Sequence, residues 1–195
     1  MKKLYNLIAL IFLTLISCSH DDHNNNPAAP VASGTLTVNG VTTIVNNAYI
    51  VLPYTGTDPQ YDNRRFYIVL TDGTVTIANN EFVYADNIHN SIDFNLYTSA
   101  DHLSSVQNTT YNLYIPGTGL NENAFIDHTS IDNNVVIQNG NFISAEDLDS
   151  DDMNSGHLTL NVINGVYTFS FAFENDGNLV SGSFTGTPTT LNYQY

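Results

Sequence analysis

Leu158-Thr159-Leu160-Asn161-Val162-Ile163-Asn164-Gly165-Val166-Tyr167-Thr168-Phe169-Ser170-Phe171-Ala172-Phe173 carries the pattern on which the fold turns. Apolar and polar residues alternate on both sides of an Asn-Gly pair, the spacing of two half-buried antiparallel strands joined by a tight turn. Asn and Gly tolerate the positive φ that a type I′ hairpin requires at its two central positions. In the second strand Tyr167, Phe169, Phe171 and Phe173 share one face, while Thr168, Ser170 and Glu174 share the other, so the strand packs a core on one side. A second pair, Asp176-Gly177, leads into Leu179 to Gly186, where Gly182 and Gly186 signal a bend or a close backbone approach.

The same style extends toward the N-terminus. Asn39-Gly40, Asp72-Gly73 and Asn139-Gly140 are further turn pairs. Strands are expected at Gly34 to Val38, Val41 to Leu52, Arg65 to Thr71, Thr74 to Ile77, Glu81 to Ala85, Ser91 to Tyr97, Thr110 to Ile115, Phe125 to Ile126 and Val135 to Ile143. Helical signals shrink to single turns around Asp101 to Val106 and Ser144 to Leu148. Many short strands punctuated by turns in one domain of this length give an all-β fold. The favoured architecture is an antiparallel β-sandwich, because a closed barrel would show more uniform hairpins than the irregular stretches at 55–63 and 116–123. The alternative is a calycin-like up-and-down β-barrel.

The N-terminus is of a different kind. Lys2 and Lys3 precede an apolar run from Leu4 to Ile16, a charged n-region and an h-region too short to span a bilayer stably. The run ends in Leu15-Ile16-Ser17-Cys18, which resembles the bacterial lipobox, in which the Cys is acylated after cleavage. Cys18 is the single cysteine of the 195 residues, so no internal disulfide competes for it. The resulting organisation is a signal peptide at 1–17, an acylated Cys and tether at 18–33, and an all-β domain at 34–195. The tether, Ser19 to Ser33, is polar and Pro-punctuated; its fifteen residues reach at most about 50 Å when extended. With no basic patch to assist, anchoring falls to several acyl chains on Cys18.

Asp21-Asp22, close behind the Cys, is similar to the acidic surface-export signal of Bacteroidetes lipoproteins. The C-terminal run, from His157-Leu158-Thr159-Leu160 through the aromatic strand to Ser181-Gly182-Ser183-Phe184-Thr185-Gly186, likewise resembles Bacteroidetes-type outer-membrane lipoproteins with a small all-β domain. The resemblance covers the lipobox and the last forty residues or so. It implies an outer-membrane lipoprotein facing the cell surface, with the membrane as partner through Cys18, and carries over no catalytic residue.

Charge narrows the partners. Four Lys and Arg face 19 Asp and Glu, a net −15; after loss of Lys2 and Lys3 only Arg64 and Arg65 remain against 19 acids, a net −17. Such a surface repels phosphate backbones and anionic headgroups, which excludes nucleic acid as a partner. Glu146 to Gly156 reads as an acidic loop between strands, and the alternation of Asp147, Asp149 and Asp151 suggests hard oxygen ligands for calcium. The EF-hand pattern is not met, since Asp152 and Leu158 stand where Gly and Glu are needed. His89, His102, His128 and His157 lack zinc spacing, and no Gly-x-Ser-x-Gly elbow is present. Tyr49, Tyr54, Tyr61, Tyr97, Tyr193 and Tyr195 are expected to be exposed and able to stack on sugars. The sequence therefore reads as a non-enzymatic envelope binding module, for a glycan or an envelope protein. A carrier of a small apolar ligand is the alternative, and a secreted hydrolase, needing clustered carboxylates or a Ser-His pair in a cleft, is the third.

Overall fold

The computed structural model describes residues 31–52, 64–99, 101–102, 105–115 and 124–193. The signal peptide, Cys18, the first part of the tether, Tyr54, Tyr61 and Tyr195 lie outside the described residues. The chain is all β. Its strands are β1 (Ser33–Val38), β2 (Val41–Ile44), β3 (Asn47–Val51), β4 (Arg65–Thr71), β5 (Val75–Ala78), β6 (Glu81–Tyr84), β7 (Asn90–Tyr97), β8 (Thr109–Leu113), β9 (Phe125–Gln138), β10 (Asn141–Asp149), β11 (Ser155–Ile163), β12 (Val166–Asn175), β13 (Asn178–Gly186) and β14 (Thr189–Leu191). A 3₁₀ turn at Ser150–Asp152 separates β10 from β11.

The turn chemistry explains the hairpins. Asn39-Gly40, Asn139-Gly140, Asn164-Gly165 and Asp176-Gly177 take positive φ at both residues, and they close β1–β2, β9–β10, β11–β12 and β12–β13. A fifth such turn, Asn79-Asn80 at φ 53° and 62°, closes β5–β6 without a glycine. Asp72-Gly73 is not of this kind. The Asp72 carboxylate instead accepts from the backbone N–H groups of His89 and Asn90 at 2.9 and 3.1 Å, and Gly73 is buried against Ile88 with no room for a side chain. Gly182 meets the close approach read from the sequence: a side chain there would collide with the Thr35 carbonyl and the Phe171 ring.

Twelve strands form one mixed sheet in the order β14-β3-β4-β7-β9-β8-β11-β12-β13-β1-β2, with β10 added beside β9. The β14–β3 and β8–β9 pairs are parallel. Two short links show how far this sheet bends. Val45-Asn46 joins β2 to β3, and Thr187-Pro188 joins β13 to β14, yet each link connects strands near opposite ends of the path. Two intervening residues span at most about 11 Å, so the ends must lie close together. The result is a strongly curled half-barrel rather than clearly the two-sheet sandwich expected. It is not an up-and-down barrel either, since sheet neighbours are repeatedly non-consecutive. Turn dipeptides report local pairing only, whereas the parallel pairs depend on long crossovers that leave no local signal.

Inside the curl, the ladder of β12 packs as its alternation demands. Phe169, Phe171 and Phe173 are 1–4% exposed, and Phe94 of β7 meets Phe171 and Phe173 at ring separations of 5.3 and 6.1 Å. Ala48, Ile50, Phe66, Ile68 and Leu70 complete this core from β3 and β4. Those two strands are buried on both faces. Tyr49, Val51, Tyr67 and Val69 point outward into a second apolar layer, which the β5–β6 hairpin covers with Val75, Ile77, Phe82 and Tyr84. Tyr49 is thus buried rather than exposed, and Tyr193 stacks on Phe82 at 5.2 Å.

Three local expectations change. Val41 to Leu52 divides into two strands at Val45-Asn46, and Phe125 begins a fourteen-residue strand rather than a two-residue one. The helical turn at Ser144 to Leu148 and the first half of the acidic loop are strand β10, which pairs with β9 through two register shifts. Its acids hid the strand, because an exposed ribbon has no apolar face to alternate.

Candidate functional site

Two polar features stand out on the outside of the half-barrel, and both arise from the β7–β9–β10 region. The first is a cleft. Beyond β8, the Tyr114 N–H bonds to the Ile126 carbonyl at 2.8 Å and keeps the chain beside β9. The Tyr114 ring tilts onto Phe125 at 6.0 Å, and Phe125 stacks flat on Tyr97 at 5.0 Å with 3° between the planes. The register between β7 and β9 pairs Asn95 with His128 but Leu96 with Ile126, so Asp127 is the extra residue of a bulge and turns out to solvent. Across from it, the 3₁₀ turn is capped by Asp149, whose carboxylate accepts from the Asp151 N–H at 3.0 Å. Tyr114, Ile115, Asp127, Ser150, Asp151 and Met153 line a cleft of about 510 Å³.

His128 ties the turn to β9. Its Nδ1 lies 3.0 Å from Ser150 Oγ, and its Nε2 lies 3.7 Å from Asp149 Oδ2. Ser150 Oγ also donates to Asp149 Oδ1 at 3.2 Å. Asp149 thus lies on the ring nitrogen remote from the serine, as the acid of a catalytic relay does. It also accepts the Ser150 hydroxyl, whose proton therefore points to the carboxylate and not to the imidazole, the geometry of a clamp on the turn.

The second feature is a field of acids. Register places Val69, Asp93, Ser130 and Asp149 in one row across β4, β7, β9 and β10, and Thr71, Ser91, Asp132 and Asp147 in the next. Asp132 and Asp147 are direct cross-strand partners of like charge, an unfavourable pairing. Ser91 donates to Asp132 at 3.2 Å and Ser130 to Asp147 at 2.8 Å. Asp93 lies deepest. Its Oδ1 is buried with no hydrogen-bond partner, while the Tyr67 hydroxyl bonds to the carboxyl. Burial, reinforced by the charge of Asp132, pushes Asp93 up to about 7, and the Tyr67 bond opposes that rise. Asp132 is raised too, by burial and then by Asp147. Tyr67 is driven far above the usual phenol range by burial and then by Asp93, and Tyr84, which bonds to Tyr67, rises to about 12 through burial.

Of the residues proposed for calcium, Asp147 and Asp149 share one face of β10, and Asp151 belongs to the exposed 3₁₀ turn. No group of three or more His, Cys, Asp or Glu among the described residues is placed to hold a metal ion. His89, His102 and His157 are exposed and separate from the cleft lining. Arg64 gives its Nε to the Thr98 carbonyl and Arg65 its Nε to Asn95 Oδ1, both at 2.7 Å. Sequence reading did not single out Asp93, Tyr114 or Ser150. Asp93 had one usable signal, an acid within Ser91 to Tyr97, a strand otherwise fit for burial. The cleft had none, because its residues come from three separate segments.

No family model, curated protein or solved structure matches the chain.

Proposed function

We propose that the chain is a Bacteroidetes-type outer-membrane lipoprotein, anchored by acyl chains on Cys18, whose β-domain is a non-enzymatic binding module taking a neutral glycan in the Tyr114–Asp127–Ser150 cleft. The observation that carries this reading is the lining of that cleft. Tyr114 and Ile115 offer apolar surface to the C–H face of a sugar, while Asp127, Asp151 and the Ser150 hydroxyl offer hydrogen-bond acceptors to its hydroxyl groups. About 510 Å³ accommodates a small saccharide. The net −17 of the mature chain favours a neutral ligand over an anionic one. The aromatic ladder, packed against Phe94 inside the curl, supports this reading over a carrier with its ligand inside.

Calorimetric titration of the domain 34–195 with a panel of neutral oligosaccharides tests the reading. Binding is expected for at least one of them, weakened at least about ten-fold by Tyr114→Ala and by Asp127→Asn, the loss of one stacking or charged hydrogen-bonding contact. No binding across the panel, or equal binding by both variants, would sink it. The hydrolase reading draws on the Ser150–His128 distance of 3.0 Å. Turnover of a simple ester by the wild type that disappears in Ser150→Ala would overturn the non-enzymatic assignment.

A further inference from the structure

The β5–β6 hairpin is a sheet of its own, with no strand ladder to the half-barrel. It is held by side-chain packing on the outer apolar layer, where Phe82 meets Tyr67 at 5.5 Å and Tyr193 at 5.2 Å, and by the Gly140 N–H donating to Asp86 at 3.2 Å. Beneath it a chain of polar contacts runs from Tyr84 on β6 through Tyr67 on β4 to Asp93 on β7.

The groups facing Asp93 are neutral or acidic. Tyr67 approaches from β4 and Tyr84 from the hairpin, Asp132 from β9, and Asp147 and Asp149 from β10. On β7 itself, Ser91 is bonded to Asp132 and Asn95 to Arg65 of β4. His128 of β9, opposite Asn95, contacts Asp149. An ionised Asp93 in this setting has one oxygen without a donor and three further carboxylates nearby. Only water can relieve that, because a buried charge without partners is strongly unfavourable. The sheet below is hydrogen-bonded on both sides of β7 and cannot admit water cheaply. The hairpin above can.

We propose that the β5–β6 hairpin is a proton-latched flap, closed over the outer face of β4 and β7 while Asp93 is protonated and lifted when Asp93 ionises. The flap then links external pH to exposure of the Tyr67–Val69–Val135–Ile137 surface that it covers. This inference is independent of the glycan reading, since it uses none of the cleft residues.

Hydrogen exchange of the domain 34–195 at pH 5.5, 7.0 and 8.5, in chelator and corrected for intrinsic rates, tests it. Protection of the amides in β5 and β6 should fall about ten-fold per pH unit as pH rises toward 7, the slope of a one-proton opening, and level off above 7, while β12 keeps its protection. Asp93→Asn should abolish the slope. Tyr84→Phe should keep it, with lower hairpin protection at every pH. The wild-type series decides even if Asp93→Asn fails to fold. A pH-independent hairpin, or an equal loss across β12, would overturn the flap. Full recovery of protection by millimolar calcium at pH 8.5 would overturn the proton as its latch.

Discussion

Asp93→Asn should stabilise the domain strongly at pH 8, much less at pH 5, and hardly at all below about pH 4. The folded protein holds the Asp93 carboxyl at about 7, against an ordinary value of 3.8. A group whose folded value is raised binds more protons in the folded state, so its stabilisation is fully present below about pH 4 and is lost as pH rises through 7. A rise of about three units corresponds to roughly 4 kcal/mol were the flap to stay closed. Lifting of the flap caps the loss at the cost of opening, which sets the expected gap between variant and wild type at about 2–4 kcal/mol at pH 8. Asparagine is close to isosteric and still accepts from Tyr67. Asp132 and the overall negative charge also favour low pH, but they act on both proteins, so the difference isolates Asp93. Urea unfolding at pH 5 and pH 8 measures it, and equal stability at both pH values would refute the buried-acid assignment.

Phe171→Ala should cost about 3–5 kcal/mol, the loss on deleting a ring from a packed core. Phe171 is 4% exposed, contacts Phe94 across the curl, and fills the space beside Gly182 that any side chain there would need. Phe142, 54% exposed near the β9–β10 turn, supplies the contrast: Phe142→Ala should move stability by about 0.5 kcal/mol or less. The comparison isolates burial, since both residues are phenylalanines in strands, one on the buried face of β12 and the other on the exposed ribbon β10. Denaturant midpoints for the two variants check it, and comparable losses would mean that the ladder does not form the core.

These expectations also mark what the sequence discloses. The Leu158 to Phe173 hairpin, its register about Asn164-Gly165 and the buried face of β12 follow from alternation and turn chemistry alone. So do three other hairpin turns, because Asn-Gly and Asp-Gly report the positive φ they adopt. Asn79-Asn80 escaped notice because asparagine reaches that conformation without a glycine to advertise it. The joining of all these hairpins into one curled sheet depends on β14 lying beside β3 and β8 beside β9, contacts between distant segments with no local imprint. The functional features are assembled the same way. Asp127 enters the cleft through a bulge, Ser150 through a three-residue turn, and Tyr114 through the end of β8. Asp93 acquires its character from burial among elements distant in sequence and then from Asp132 on another strand.

Display of the binding module on a lipid-anchored tether at the cell surface can be measured by protease shaving of intact cells with detection of the domain 34–195. Proteinase K suits the purpose, because the tether from Ser19 to Ser33 contains no Lys or Arg for trypsin. The domain is expected to leave the cells and appear in the supernatant while the outer membrane is still intact. Retention of the whole protein until that membrane is broken would contradict surface display and place the domain in the periplasm.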